Sequence, residues 1–417
     1  MNFAMILTFM LGLVGSVGHA ETLVVQFEDI PQIVRERNSH AQGADFRKRA
    51  SEIEQGHLAR SYLPRLKFTI GTERFQTGTQ AERAEHYGSV IASTNIFRGG
   101  KDRLEDVVAQ SSLSVAVAES EKILREEVKK ARISFWHLVA QREMVGLLQA
   151  ASEENQKNLV KAEARIRAGV ATETDRIEFE MYRLELNQDL LRLRLASENT
   201  ERNLAVLLGL PEGTTVQTPL VVGHKHEDDL FTSTELIEVH PAIRSLIFRG
   251  EESRIKALQS GRWWTPSLDL YASYGLHTFR EREFALQSER YETVVGMQLT
   301  MELFDGFAGR TEFRHKTLET AGLQLEALQT ARELHAKVAG ARAELRLTHE
   351  LIHHSEEALL RAKIYLARTL DEYQRGVKNS PEVLLASERR FGMLRRFADL
   401  RRDYQLARCE LLEILGK

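Results

Sequence analysis

The stretch Tyr291–Phe304, YETVVGMQLTMELF, decides the fold because its side chains alternate regularly in character. One set of alternate positions is apolar and consists of Val295, Met297, Leu299, Met301 and Leu303, whereas the intervening positions are polar or small. A period of two over ten or more residues predicts a β-strand with one apolar face. Similar patterns at 87–97, 66–70 and 268–276 predict three further strands.

The pattern changes to a helical period further along the chain. From Ala331 to Tyr373, apolar and small residues recur strictly at spacings of three and four, and no proline lies between Pro266 and Pro381. The first half of the chain shows similar spacing at Leu124, Val128, Ala131, Phe135, Leu138, Val145 and Leu148. This heptad pattern predicts long helices that pack as coiled coils. A helix of about 65 residues, rising ~1.5 Å per residue, extends roughly 100 Å.

The two halves of the chain share landmarks at a constant offset, which indicates an internal repeat. Three pairs of residues stand 207 positions apart: Phe97 and Phe304, Gly169 and Gly376, and Gly209 and Gly416. We therefore predict two structural repeats, 21–210 and 234–417, joined by a linker at 211–233. Each repeat is expected to run helix, strand, loop, strand, long helix, turn and helix. The first helices are predicted at 31–62 and 234–261, the loops at 77–86 and 280–289, and the return strands at 87–97 and 291–304.

The N-terminal segment 1–20 has the features of a secretory signal peptide. An apolar run at 3–17 is followed by the small residues Gly18 and Ala20, which fit a signal-peptidase site. Because the run is short for a spanning helix, we expect cleavage after Ala20 in preference to a membrane anchor. The formal net charge of −3 argues against a nucleic-acid partner. The single cysteine, Cys409, excludes an internal disulfide.

Four strands in one chain are too few to close a membrane barrel, which needs about eight or more. Each predicted return strand is long enough to cross a bilayer, which requires about 9–11 residues. Three chains would supply twelve strands, an even number that closes. The alternative is a small soluble sheet that caps the coiled coil. The predicted signal peptide, the long alternation and aromatic residues near the strand ends favour the barrel in a membrane.

With these features the chain resembles the TolC-type outer-membrane efflux family. The resemblance rests on the duplicated unit, Leu-Pro before a strand, Ile/Leu-Phe-x-Gly at the strand exit, and a Gly-Val turn between long helices. It implies a mainly α-helical homotrimer, whose helical hairpins form an α-barrel in the periplasm and whose strands form a twelve-stranded outer-membrane β-barrel. It also implies a passive duct in outer-membrane lipid, coupled through a periplasmic adaptor (membrane fusion) protein to an inner-membrane RND or ABC pump.

The resemblance assigns roles to the two helical turns. It implies that Gly169–Val170 and Gly376–Val377 form the periplasmic mouth and contact the adaptor. Glu382 matches the position of a constricting acidic residue, and Lys378 stands where a basic residue binds a neighbouring helix. Leu385 departs from the family, which often has a second acidic residue there. The simpler interpretation is that Glu382 only favours the helix dipole in a first turn.

Two histidine motifs suggest other chemistry. His349-Glu350-Leu351-Ile352-His353 matches the H-E-x-x-H signature of zinc proteases. On one straight helix, however, the candidate third ligand Glu372 would lie roughly 28 Å away. His224 and His226 suggest a weak metal contact in the linker. We expect no cofactor and no enzymatic activity, and we keep two alternatives to the channel: a periplasmic coiled-coil scaffold or adaptor without a pore and, more remotely, a metalloprotease.

Overall fold

The computed structural model describes residues 22–75, 83–220, 239–281 and 287–416. The predicted signal peptide and the His224–His226 motif lie outside the described residues. The first half contains β1 (Thr22–Val24), a 3₁₀ helix (Phe27–Asp29), α1 (Ile30–Arg37), α2 (Ser39–Ile53), α3 (His57–Ser61), β2 (Arg65–Phe75), β3 (Arg83–Phe97), α4 (Lys101–Arg167), α5 (Glu173–Leu207) and β4 (Thr215–Gln217). The second contains α6 (Pro241–Ser260), β5 (Ser267–Glu281), β6 (Gln287–Thr300), α7 (Ala308–Gln374) and α8 (Ser380–Leu415).

The four long strands form one antiparallel sheet in the order β2-β3-β5-β6. Its register places Phe68 opposite Val90, Val90 opposite Tyr274, and Leu270 opposite Met297. Because side chains alternate between faces, these residues share one apolar face. This face is open in the single chain, where Phe68 is 68% exposed and Met297 is 69% exposed.

The opposite face of the sheet is mostly polar. It carries Lys67, Thr69, Ser89, Ser93, Ser273 and Gln298, together with Tyr87 and Tyr271. Each tyrosine ring lies across a glycine on the neighbouring strand. A Cβ on Gly71 would meet the Tyr87 ring, and a Cβ on Gly296 would lie 2.8 Å from the Tyr271 hydroxyl. The glycines therefore leave room for the rings. The glycine–tyrosine contacts favour the observed register of the β2–β3 and β5–β6 pairs.

The heptad positions predicted on α7 form its buried face. Leu334, Val338, Ala341, Leu345, Thr348, Ile352, Ser355, Leu366, Thr369 and Tyr373 are buried. Five of the seven positions predicted in the first half, Val128, Ala131, Phe135, Leu138 and Leu148, are buried on α4. The prediction of a mainly helical chain with long coiled-coil hairpins and four long strands is confirmed.

The single first helix predicted at 31–62 is wrong, because the segment is divided into α1, α2 and α3. Asn38 ends α1 with an extended backbone, and its Oδ1 accepts hydrogen bonds from the amides of His40 and Ala41 at 2.8 and 2.9 Å. Gly56, with φ 77°, separates α2 from α3. An asparagine that caps a helix start competes with helix continuation.

Other boundaries also differ from those predicted. The strand predicted to reach Phe304 ends at Thr300, and Leu303 beyond it is 80% exposed. At the other end, β3 and β6 begin at Arg83 and Gln287, inside the predicted loops. Positions 234–238 of the helix predicted at 234–261 lie outside the described residues. Within the described residues, α6 begins at Pro241, which occupies the first turn as proline favours.

One pairing has no counterpart in the sequence pattern. β1 pairs in parallel with β4, placing Leu23 opposite Val216. Arg142 on α4 supports β4 by donating to the Val216 carbonyl and to the Thr218 hydroxyl, both at 2.8 Å. Both strands have only three residues, too few for alternation to reveal them.

The described residues fall into two compact units. One comprises those of Met1–Asp45, Ser120–His240 and Ala331–Lys417, and contains the two turns between long helices. The other comprises those of Phe46–Glu119 and Pro241–Thr330, and contains the sheet. Among the described residues, no helix is both long and apolar enough to cross a membrane.

Candidate functional site

The turn between α4 and α5 is closed by a left-handed glycine. Gly169 has φ 74°, and its amide donates to the Ile166 carbonyl at 3.0 Å. The next amide, of Val170, donates to the Arg165 carbonyl at 3.1 Å. This pair of bonds is the Schellman arrangement that ends many helices. The Val170 side chain is left 63% exposed.

The turn between α7 and α8 repeats this geometry. Gly376 has φ 81°, its amide donates to the Tyr373 carbonyl at 3.0 Å, and the Val377 amide donates to the Glu372 carbonyl at 2.9 Å. Val377 is 73% exposed. A Cβ added at Gly376 or Gly169 would meet nothing within 4 Å. The glycines are thus required by backbone conformation and not by space.

Each turn leads into a helix that begins with a capping box. Thr172 caps α5, and its amide donates to the Asp175 carboxylate at 2.9 Å. Asn379 caps α8, and its amide donates to Oε2 of Glu382 at 3.0 Å. Reciprocal bonds of this kind satisfy amides at a helix start that otherwise lack partners. Glu382 therefore has a local structural role at the position predicted for the constriction.

The two turns lie side by side and are joined by polar contacts. The Ser380 hydroxyl donates to Oδ1 of Asp175, and the Ser380 amide donates to the same oxygen at 3.4 Å. On the other side, Arg165 donates to the Tyr373 carbonyl and stacks on the Tyr373 ring, 4.0 Å from its centroid. Beneath them lies an apolar cluster drawn from all four helices: Leu159, Ala162, Phe179, Tyr373 and Val383.

Hydrogen bonds shift the pKa of two side chains at this end of the hairpins. Burial alone would raise the pKa of Asp175, but hydrogen bonds from Ser380 and Thr172 outweigh it and lower this pKa below its usual value. Lys378 forms a 2.9 Å ion pair with Glu372, which raises the pKa of Lys378. Its ammonium also lies 5.6 Å from the Tyr365 ring centroid. The described contacts of Lys378 are therefore with α7. Leu385, the position at which the sequence departs from the family, is 44% exposed.

The H-E-x-x-H segment lies inside α7, as the heptad pattern predicts. Ile352 is buried in the seam, while His353 is exposed and lies 3.9 Å from Glu356. The candidate third ligand Glu372 pairs instead with Lys378. Within the described ranges, no group of three or more His, Cys, Asp or Glu side chains is placed to hold a metal ion. Cys409 is fully buried, as a small core residue would be.

Sequence reasoning identified both glycines, Glu382 and Lys378, but missed the residues that join the turns. Thr172 and Asp175 carry the spacing of a capping box, so their local bond could have been found. The sequence Ser380-Pro381 predicts that Ser380 caps α8, which is wrong because Asn379 is the cap. The bond from Ser380 to Asp175 was not predicted. Nothing in a single sequence indicates that Arg165 stacks on Tyr373, 208 positions away.

Comparison with known protein families gives a match in the second half of the chain. Residues 233–417 match the family model described as outer membrane efflux protein. A comparison with curated protein sequences found no match.

The fold of most of the chain matches solved outer-membrane structures. The CmeC outer membrane channel of Campylobacter jejuni matches with a TM-score of 0.80 at 14% identity, over 94% of this chain and 85% of CmeC. The outer membrane protein VceC of Vibrio cholerae matches with a TM-score of 0.78 at 16% identity, over 94% of this chain and 96% of VceC. The open state of the MtrE outer membrane channel of Neisseria gonorrhoeae matches with a TM-score of 0.75 at 15% identity, over 94% of this chain and 88% of MtrE. The predicted resemblance to the TolC-type outer-membrane efflux family is confirmed.

Proposed function

We propose that this protein is the outer-membrane channel of a tripartite export system, acting as a passive duct and not as an enzyme. The observation that carries the proposal is the four-stranded sheet with one open apolar face. An apolar face of this extent is suited to lipid and unsuited to water. The polar face would line the duct.

The edges of the sheet favour three copies. Within the described part of the chain, β2 and β6 each have a hydrogen-bonded strand on one side only. Unpaired edges in a bilayer leave backbone groups unsatisfied, so membrane sheets close into barrels. Three chains joined β6 to β2 give twelve strands. One chain would supply four strands, fewer than the smallest common barrels contain, and two chains would supply eight, which only just reaches that number.

A second unpartnered surface supports the same assembly. Ile177, Met181, Leu184, Leu191 and Leu195 follow heptad spacing along α5, and each is between 45% and 66% exposed. In a coiled coil, a row of this kind packs against the matching row of a partner helix. We assign it to a neighbouring copy of this chain, so that the hairpins of three copies form a closed α-barrel in the periplasm.

The turns are proposed as the adaptor contact. In a Schellman motif the residue after the glycine usually packs against its own helix, but Val170 and Val377 are exposed. Two apolar side chains presented on rigid turns suit a docking surface for a helical hairpin of a periplasmic adaptor protein. Glu382 and Lys378, beside the second turn, are proposed to constrict the duct at this end.

The energy for export would come from an inner-membrane pump of the RND or ABC type. The cargo, whether small molecules, metal ions or proteins, would be selected by that pump. We propose residues 1–20 as the export signal, and 21–210 and 234–417 as repeats joined by the linker 211–233.

Membrane extraction separates the channel from a periplasmic scaffold. The channel should sediment with outer membranes and require detergent for release, because its apolar sheet face lies in lipid. A scaffold would be released by osmotic shock with other periplasmic proteins. Deleting the gene should also make cells retain the cargo of the partner pump, and restoring it should reverse this.

A further inference from the structure

The residue that precedes α7 has a backbone conformation that its side chain disfavours. Phe307 has φ 66°, the one positive value outside glycine among the described residues. The internal repeat supplies a comparison, because Gly100 stands 207 positions earlier and has φ 76°. The first half of the chain thus meets the same backbone demand with glycine, which tolerates it, whereas a bulky residue is strained there. Strain that is retained in this way suggests a function for the side chain.

The Phe307 side chain lies on the surface and forms an aromatic pair with Phe304. The ring centroids are 5.3 Å apart and the ring planes are perpendicular, and the two residues are 62% and 68% exposed. Trp264, which is 58% exposed, precedes β5 at the same end of the sheet, where Ser267 pairs with Thr300. Exposed aromatic rings at the end of a membrane sheet are typical of the level at which lipid headgroups begin.

Two exposed arginines follow in the first turns of α7. Arg310 and Arg314 are four residues apart and therefore share one face of the helix. Neither guanidinium has an acidic or hydrogen-bonding partner among the described residues. Of the acidic groups close in sequence, Asp305 accepts a bond from the Gly309 amide at 2.7 Å, and Glu312 lies about 160° around the helix from both arginines. Like charges at this spacing repel each other, so the pair favours an anion between them.

The junction surface consists of Phe304, Phe307, Arg310 and Arg314. We propose that it binds the phosphate group of a phospholipid in the periplasmic leaflet of the outer membrane. The arginines donate to phosphate oxygens, which suit the guanidinium fork, and the rings contact the glycerol and the upper acyl chains. The surface also adjoins the apolar sheet face, whose alternate positions extend along the chain to Leu303, 80% exposed. The inference rests on the proposed channel and adds a specific lipid contact to it.

Native mass spectrometry of the detergent-purified full chain with added phosphatidylglycerol measures this contact. Diacylglycerol with the same acyl chains is the comparison without a phosphate. We expect phosphatidylglycerol to bind at least about tenfold more tightly, because hydrogen bonds between arginine and phosphate are charge-assisted. Excess inorganic phosphate should not displace it, because the acyl chains add to its affinity. Equal binding of the two lipids, or displacement by inorganic phosphate, would overturn the assignment.

Arginine variants show whether the lipid occupies the junction surface. Arg310→Gln combined with Arg314→Gln should weaken phosphatidylglycerol binding about tenfold or more. Arg103→Gln is the matched control, because Arg103 is exposed and stands 207 positions before Arg310, but Val107 takes the place of the second arginine. This control should leave binding within about twofold of the unaltered chain.

Phe307→Gly separates the lipid contact from the packing of the chain. It introduces the residue found at the matching position of the first half, so the urea midpoint of unfolding should not fall. The affinity for phosphatidylglycerol should nevertheless fall about threefold or more, because the ring is lost. A lower midpoint with unchanged lipid binding would show that the ring only packs.

Two results with the double arginine variant would make the inference wrong. One is retention of the lipid as in the unaltered chain. The other is loss of the three-chain mass, which would assign the arginines to a neighbouring copy. Sedimentation of the variant with outer membranes would still support the channel in the first case, so failure of the lipid contact and failure of the proposed function are distinguishable.

Discussion

The Ser380 hydroxyl donates a hydrogen bond to the Asp175 carboxylate and so joins the starts of α8 and α5, 205 positions apart in the chain. Asp175 serves its own capping box with Oδ2 and the neighbouring helix with Oδ1. One side chain thus fixes both the end of its own hairpin and the position of the other. This carboxylate therefore links the two turns, together with the Arg165–Tyr373 contact and the apolar cluster beneath them.

The coupling between the two residues can be measured directly. Asp175→Asn, Ser380→Ala and the double variant form a mutant cycle, followed by the urea midpoint of helix unfolding in circular dichroism. We expect a coupling free energy of about 1 kcal/mol, typical of one net hydrogen bond. Asp189→Asn is the control, because Asp189 also lies on α5 but forms its ion pair with the nearby Arg192, on the same helix. Additive single effects in the cycle would show that the bond contributes nothing.

The same bond predicts that the stability contributed by Asp175 depends on pH. Because hydrogen bonding lowers the pKa of folded Asp175, its stabilisation is fully present above the unfolded pKa of about 3.9. It is lost as the pH falls through the lower, folded pKa. The difference in urea midpoint between the unaltered chain and Asp175→Asn should therefore be constant from pH 7 to about 5 and should shrink below about 4. A difference that grows on acidification would contradict this assignment.

The glycine turns should reject β-branched residues for reasons of backbone conformation. Gly169→Val and Gly376→Val should each destabilise the turn by roughly 1–2 kcal/mol, because any Cβ is disfavoured at these positive φ angles. Export should fall while insertion into the outer membrane continues. Asparagine, which tolerates this conformation better, should be milder.

Gly340→Ala is the matched control for these variants. Gly340 also has open space around it but lies within α7 at ordinary helical angles. Alanine there should stabilise the helix by up to about 1 kcal/mol. If Gly376→Val and Gly340→Ala were equally harmless, the turn would not need its left-handed residue.

The proposed constriction can be separated from the capping role of Glu382. Glu382→Gln keeps a side chain that can complete the capping box but removes three charges from a trimer. Single-channel recording should show weaker cation selectivity for this variant and reversed selectivity for Glu382→Lys, as expected for a charged ring in a pore. Unchanged selectivity in both would leave Glu382 as a capping residue only.

The sequence predicted the elements whose periodic pattern repeats over many residues. It missed the features that are fixed by contacts between side chains far apart in the chain. The α7 seam and the sheet faces follow from many repeated positions, so a single exception does not obscure them. The break at Asn38 depends on one side chain that caps α2 and also donates to the Leu207 carbonyl at 2.8 Å. The Asp175–Ser380 bond depends on hairpin packing, which one sequence does not encode as a local pattern.

The most direct test of the channel is the mass of the native assembly extracted from outer membranes in mild detergent. The four-stranded sheet, whose two edge strands lack an outer partner among the described residues, predicts a species of three chains, which boiling in dodecyl sulfate converts to single chains. Native mass spectrometry of the unheated sample should therefore give three times the mass of the mature chain. A stable, monodisperse monomer in detergent-free buffer would contradict the account.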